Sequence, residues 1–194
     1  EPYINIYRDP TFERAYNTLG EDPVLTGTMG ARFVRGAQAQ NVMAQAKHFI
    51  GYEGGGDVQI GGQALREIYL APFHDAARAG VASIMCSYNK VNGAHACGNG
   101  ALLNGVLRKE SGFRGFITSD WGATHGAEFL VSGLDMEQPG IGPGAFFAVT
   151  KEADGGPGMS DEEKAELLET LAAGTPDEPI HATPVPDAMP KTDP

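Results

Sequence analysis

Along residues 1–140 the apolar positions change rhythm repeatedly: short aliphatic and β-branched runs alternate with stretches at helical spacing. The runs predict strands at residues 3–7, 43–49, 82–88 and 116–119, with a short one around 133–136. Between them the pattern predicts helices at 24–35, 65–79, 101–110 and 123–131. The second helix has the clearest apolar face, built from Leu65, Ile68, Tyr69, Pro72, Phe73 and Ala76. Strand–helix alternation with short connections implies a parallel sheet in an α/β fold. Five strands and four helices fit either an open doubly wound sheet or the later part of an eight-stranded (β/α)₈ barrel.

One stretch stands out. Gly115-Phe116-Ile117-Thr118-Ser119-Asp120-Trp121-Gly122 runs a buried strand into a carboxylate and an indole, where parallel α/β folds keep their chemistry. Taken alone, Asp120 reads first as the N-cap of the next helix and Trp121 as a core residue. The other strand ends are polar too. Arg8 and Asp9, Lys47 and His48, Tyr88 and Asn89, and Asp135 and Glu137 follow the remaining strands, and five such ends suggest one common mouth.

Charge and composition narrow the choice. The net charge of −11 argues against nucleic acid, and no apolar run is long enough to cross a bilayer. Residues 151–194 carry 11 acids, 3 bases and 7 of the 13 prolines, which divides the chain. Residues 1–150 form the α/β unit, 151–175 an acidic helical segment capped by Ser160-Asp161-Glu162-Glu163, and 176–194 a proline-rich linker or strap. Glu1-Pro2-Tyr3 lacks the order of a signal peptide, and opening almost directly on a strand suggests cleavage upstream. Cys86 and Cys97 fit a disulfide or two buried thiols equally well, and no Cys/His set has zinc spacing.

Several motifs read first as packing. Lys47-His48 fits a paired lysine and a core histidine, and Met85 a core residue. Gly20-Glu21-Asp22-Pro23 reads as capping of the first helix. Arg66-Glu67 reads as an ion pair on the long helix, and Gly54-Gly55-Gly56 lacks the residues of a phosphate loop.

In series, however, these motifs carry a resemblance. Asn5-Ile6-Tyr7-Arg8-Asp9-Pro10 with Arg14, Gly20-Glu21-Asp22-Pro23, Lys47-His48-Phe49, Leu65 to Phe73, Met85-Cys86-Ser87-Tyr88-Asn89 with Asn92-Gly93, and Thr118 to Gly122 agree in order and spacing. Across roughly residues 3–140 the chain resembles glycoside hydrolase family 3, in its β-glucosidase branch. The resemblance implies part of a (β/α)₈ TIM-type barrel, with the early strands and the C-terminal α/β sandwich domain absent. It implies Asp120 as nucleophile, Arg14, Lys47 and His48 as ligands of the sugar hydroxyls, and Met85, Tyr88 and Trp121 as pocket lining. Bridged versions of the Cys86–Cys97 region also occur in that family, which suits a secreted or periplasmic protein.

The implied reaction is retaining hydrolysis of terminal β-D-glucosyl residues through a covalent Asp120 intermediate, without cofactor or metal. Its substrate is a β-glucoside or oligosaccharide. Retention needs a second carboxyl, and the family's β-glucosidases take it from the sandwich domain. The chain alone is therefore expected to be inactive or nearly so, and to pair with a second polypeptide that carries the missing strands and acid/base. A histidine on the loop after Lys47-His48-Phe49 would mark a β-N-acetylglucosaminidase. Residues 50–57 contain none, and Glu53 and Asp57 are weak substitutes for the acid. The contrasting expectation is a non-catalytic carbohydrate-binding or structural remnant of the same barrel.

Overall fold

A computed structural model describes residues 1–53 and 55–140; the acidic helical segment and proline-rich strap predicted for 151–194 lie outside them. Three parallel strands form the centre: β1 (Gln45–Phe49), β3 (Ser83–Cys86) and β6 (Phe116–Thr118), in the order β1-β3-β6. Tyr3 bridges Lys47 in parallel on one side, and Met136 bridges Thr118 in parallel on the other. Five segments therefore lie side by side in chain order. A doubly wound sheet would reverse direction partway, so this order selects the arc of a barrel.

Alternation along the strands separates two faces. Ala46, Ile84 and Ile117 share a register row, are fully buried and join a core with Val34, Phe73 and Leu103 of the surrounding helices. The intervening rows turn the other way and are largely polar: Gln45 Nε2 donates to Ser83 Oγ at 2.8 Å and to Thr118 Oγ1 at 3.1 Å. Lys47, Met85 and Thr118 form the next such row. The ladder shifts register between Lys47 and Phe49, an irregularity of the kind that re-aims a side chain, here His48.

The helices begin where local chemistry directs. Helix α1 (Pro23–Gln38) starts on Asp22, whose carboxylate accepts from Val24 N at 2.8 Å and Leu25 N at 3.2 Å, with proline in the first turn. Its Gly36 is exposed and has open space around its Cα. Gly36→Ala should raise stability by about 0.5–1 kcal/mol in a urea titration. The predicted long helix is α2 (Gly62–Ala64), a π-helical segment (Leu65–Tyr69) and α3 (Ala71–Arg78) in succession; Ala101–Glu110 is also wound as a π-helix. Arg66 reaches Glu110 at 2.6 Å rather than Glu67, so the ion pair joins two helices.

One expected helix is corrected and one hairpin is new. The helix predicted for 123–131 is a single 3₁₀ turn, Ala127–Phe129, because Gly126 is extended (φ −167°, ψ 160°) and interrupts the pattern. The hairpin was not expected: β4 (Lys90–Val91) and β5 (Ala94–His95) turn through Asn92 (φ 52°) and Gly93 (φ 91°). Strand β2 (Asp57–Val58) adds to β4 in parallel, giving a small second sheet. Cys86 and Cys97 are bridged, with Cα atoms 5.2 Å apart, which decides between disulfide and free thiols.

Candidate active site

Asp120 follows directly on β6, and a backbone lattice holds it there. Ser119 N donates to Met136 O at 2.8 Å, Gly122 N to Gln138 O at 2.8 Å, and Ala123 N to Asp120 O at 3.0 Å. Gly122 adopts φ +75°, which glycine accommodates freely. No helix begins here, so the capping role read first for Asp120 is corrected. Its Oδ1 accepts from Trp121 N at 2.7 Å, while Oδ2 is buried without a hydrogen-bond partner among the described residues. One oxygen is anchored and the other is not.

Trp121 is not a core residue. It is 63 % exposed, next in sequence to an Asp120 that is only 8 % exposed. The Tyr88 hydroxyl donates to the Trp121 backbone carbonyl at 3.0 Å. Burial, and then the negative charge of Asp120, push the Tyr88 phenol up to about 12.

His48 Nε2 lies 3.3 Å from Asp120 Oδ2 without forming a hydrogen bond. The contact is no ion pair either, because burial and the charges of Arg14 and Lys47 push the imidazole down to about 3. A neutral His48 makes stability depend on pH in a defined direction. The unfolded chain takes up a proton below about 6.5 and the folded chain does not until about 3. Stability should therefore fall as pH drops through that window, by at most about 1.4 kcal/mol per pH unit. Urea midpoints measured across the window should show this slope, and His48→Gln should flatten it.

Arg14 sits 5.4 Å from the Tyr3 ring centre and 5.8 Å from that of Tyr52. His48 lies edge-on between the same two rings, 5.0 Å from each. Tyr52 in turn meets Tyr88 at 6.0 Å and Phe12 at 5.4 Å. The cation, the imidazole and the carboxylate are thus gathered by an aromatic cage. Lys47 bonds Glu1 at 2.5 Å, while its charge still bears on His48. Met85, buried, lies in register between Lys47 and Thr118.

Not every polar strand end joins this mouth. Asp135 bonds Arg108 at 2.5 Å and Ile117 N at 2.6 Å, and Asn89 is spent on the carbonyls of Ile50 and Lys90. Asp9 caps its own turn through Thr11 at 2.8 Å. Arg8 donates to the Tyr69 hydroxyl, beside Glu53, whose carboxyl burial raises against the opposing charge of Arg8. Asp57 accepts from Gly93 N at 2.9 Å in the hairpin. Sequence reasoning overlooked Tyr3, Tyr52 and Phe12, although an aromatic beside each early strand end was a usable signal.

This arrangement has relatives. The glycosyl hydrolase family 3 N-terminal domain matches residues 1–138. The chain belongs to glycosyl hydrolase family 3. It is 43 % identical over 147 residues to beta-glucosidase 1 of Saccharomycopsis fibuligera, a match covering 66 % of this chain and 17 % of the relative. It is likewise 43 % identical over 147 residues to probable beta-glucosidase E of Aspergillus clavatus, covering 69 % of this chain and 14 % of the relative. Among solved structures, beta-glucosidase 3B of Thermotoga neapolitana, in complex with glycerol, superposes with a TM-score of 0.71 at 38 % identity. That match covers 92 % of this family 3 chain and 24 % of the other. The beta-glucosidase of Kluyveromyces marxianus, in complex with glucose, gives 0.74 at 31 % identity, covering 90 % and 22 %. The barrel segment is thus similar to that of these β-glucosidases, and the chain spans under a quarter of their length.

Proposed function

We propose that this segment carries the glucosyl-binding half of a retaining β-glucosidase, with Asp120 as nucleophile. The observation that carries the reading is the split environment of that carboxylate: Oδ1 tied to Trp121 N, Oδ2 buried and unpartnered beside a neutral imidazole. In the first step Oδ2 attacks the anomeric carbon of a β-glucoside and the aglycone leaves with a proton. Water then displaces Asp120 from the same carbon, and two inversions give net retention. Arg14, Lys47 and His48 hold the sugar hydroxyls, Lys47 exchanging Glu1 for the ligand. Neutral His48 accepts or donates without adding charge. Trp121 and Tyr88 offer exposed ring faces to the C–H side of the sugar, and Met85 closes the inner wall.

Glu53 is held by Tyr69 and Arg8 and Asp57 by the Gly93 N–H, so in this reading the proton donor comes from polypeptide outside the described residues. The 194-residue chain alone should therefore hydrolyse an unactivated aryl β-glucoside far more slowly than the β-glucosidases it resembles. A 2,4-dinitrophenyl β-glucoside, whose leaving group needs no proton, should be turned over measurably. Following its hydrolysis by NMR tests the reading. β-Glucose released first supports it; α-glucose released first contradicts it, and equal rates on both substrates would remove the need for an outside donor.

A further inference from the structure

Three buried polar atoms near the Asp120 carboxylate have no hydrogen-bond partner among the described residues: Tyr3 Oη, His48 Nδ1 and Asp120 Oδ2. They come from three parts of the arc, namely the segment bridged to β1, β1 itself and the end of β6 beyond β3. The Tyr3 and His48 rings are 5.0 Å apart edge to face, His48 Nε2 is 3.3 Å from Asp120 Oδ2, and the Arg14 guanidinium lies over the Tyr3 ring. Other buried polar atoms of the described residues are unpaired too, but these three come together around one carboxylate, which suits a polar guest. Burial raises the Tyr3 phenol above its ordinary range against the opposing charge of Arg14, which favours the protonated donor.

We infer that Tyr3 is a further substrate-binding residue, its hydroxyl bonding a hydroxyl of the glucosyl unit held at Asp120. The inference rests on the glycosidase reading above. A phenol both donates and accepts, which matches a sugar hydroxyl on either side of the bond. The ring also braces Arg14 and His48 by its face and edge. Because Tyr3 Oη is shielded from solvent, the sugar reaches it by displacing the side chains that cover it.

A purely structural role makes the opposite forecast. Removing an unpartnered buried hydroxyl relieves a desolvation cost, so Tyr3→Phe should fold as well as the parent or better. The test is calorimetric titration of the full chain and of Tyr3→Phe with glucose and its four monodeoxy derivatives, together with Tm. The expected result is an affinity for glucose about 3- to 15-fold weaker in Tyr3→Phe, with Tm unchanged or raised. One deoxy sugar, disfavoured by the parent, should be bound by Tyr3→Phe as well as glucose is. Equal affinities for the whole series in both proteins would overturn the role of Tyr3 while leaving the glycosidase reading standing. A uniform loss accompanied by a fall in Tm would overturn it in favour of a structural role. Failure of the parent chain to bind glucose at all would overturn both.

Discussion

Asp120→Asn should abolish turnover of 2,4-dinitrophenyl β-glucoside, lowering kcat/KM by about 10⁴-fold or more, as removal of a covalent nucleophile does elsewhere. The amide keeps the volume of the carboxylate and can still take the Trp121 N–H on its oxygen, so the fold should survive. On the proposed reading it loses the unpartnered Oδ2 that would attack carbon. Glucose affinity should change far less than turnover, since the cage of Tyr3, Tyr52, Arg14 and His48 is untouched. A non-catalytic binding remnant would show the reverse: a change in affinity with no turnover to lose. Stopped-flow release of dinitrophenolate beside calorimetric binding separates the two.

The largest effect on stability is expected at Gly115, one residue before β6. A Cβ placed there would lie 2.1 Å from the carbonyl oxygen of Ala82 and 2.8 Å from its carbon. Both are backbone atoms at the entry to β3, where Phe116 N bonds that same oxygen at 3.2 Å. No rotamer change relieves such a clash; the strands must separate. Gly115→Ala should therefore cost about 4 kcal/mol or more, enough to threaten a domain of ordinary stability. Its contrast with the stabilising Gly36→Ala is purely spatial, and urea midpoints of the two variants should move in opposite directions.

What was legible in the sequence follows from range of interaction. The Asp22-Pro23 start of α1 and the apolar face from Leu65 to Ala76 depend on neighbours within a turn or two, and the sequence displays them directly. The sheet order was not legible from periodicity, because a barrel arc and a doubly wound sheet share the same alternation. The 123–131 helix was misread because its apolar residues outweighed Gly126, whose extended backbone decides the matter. The Asn92-Gly93 turn was a visible signal of a type I′-like hairpin that went unused. Asp135 was grouped with the mouth because its partner Arg108 lies 27 residues away, a pairing that only three dimensions reveal. Similarly, Tyr3 and Tyr52 become part of the site only once β1 brings them to either side of His48.

The account turns on whether the oxygen of Asp120 left free by Trp121 N forms a bond to sugar carbon. Incubating the chain with 2,4-dinitrophenyl 2-deoxy-2-fluoro-β-glucoside, digesting it and sequencing the labelled peptide by mass spectrometry measures that bond directly. A stoichiometric fluoroglucosyl adduct on Asp120, absent from Asp120→Asn, is the predicted result. No adduct, or an adduct on another residue such as Glu53, would contradict it.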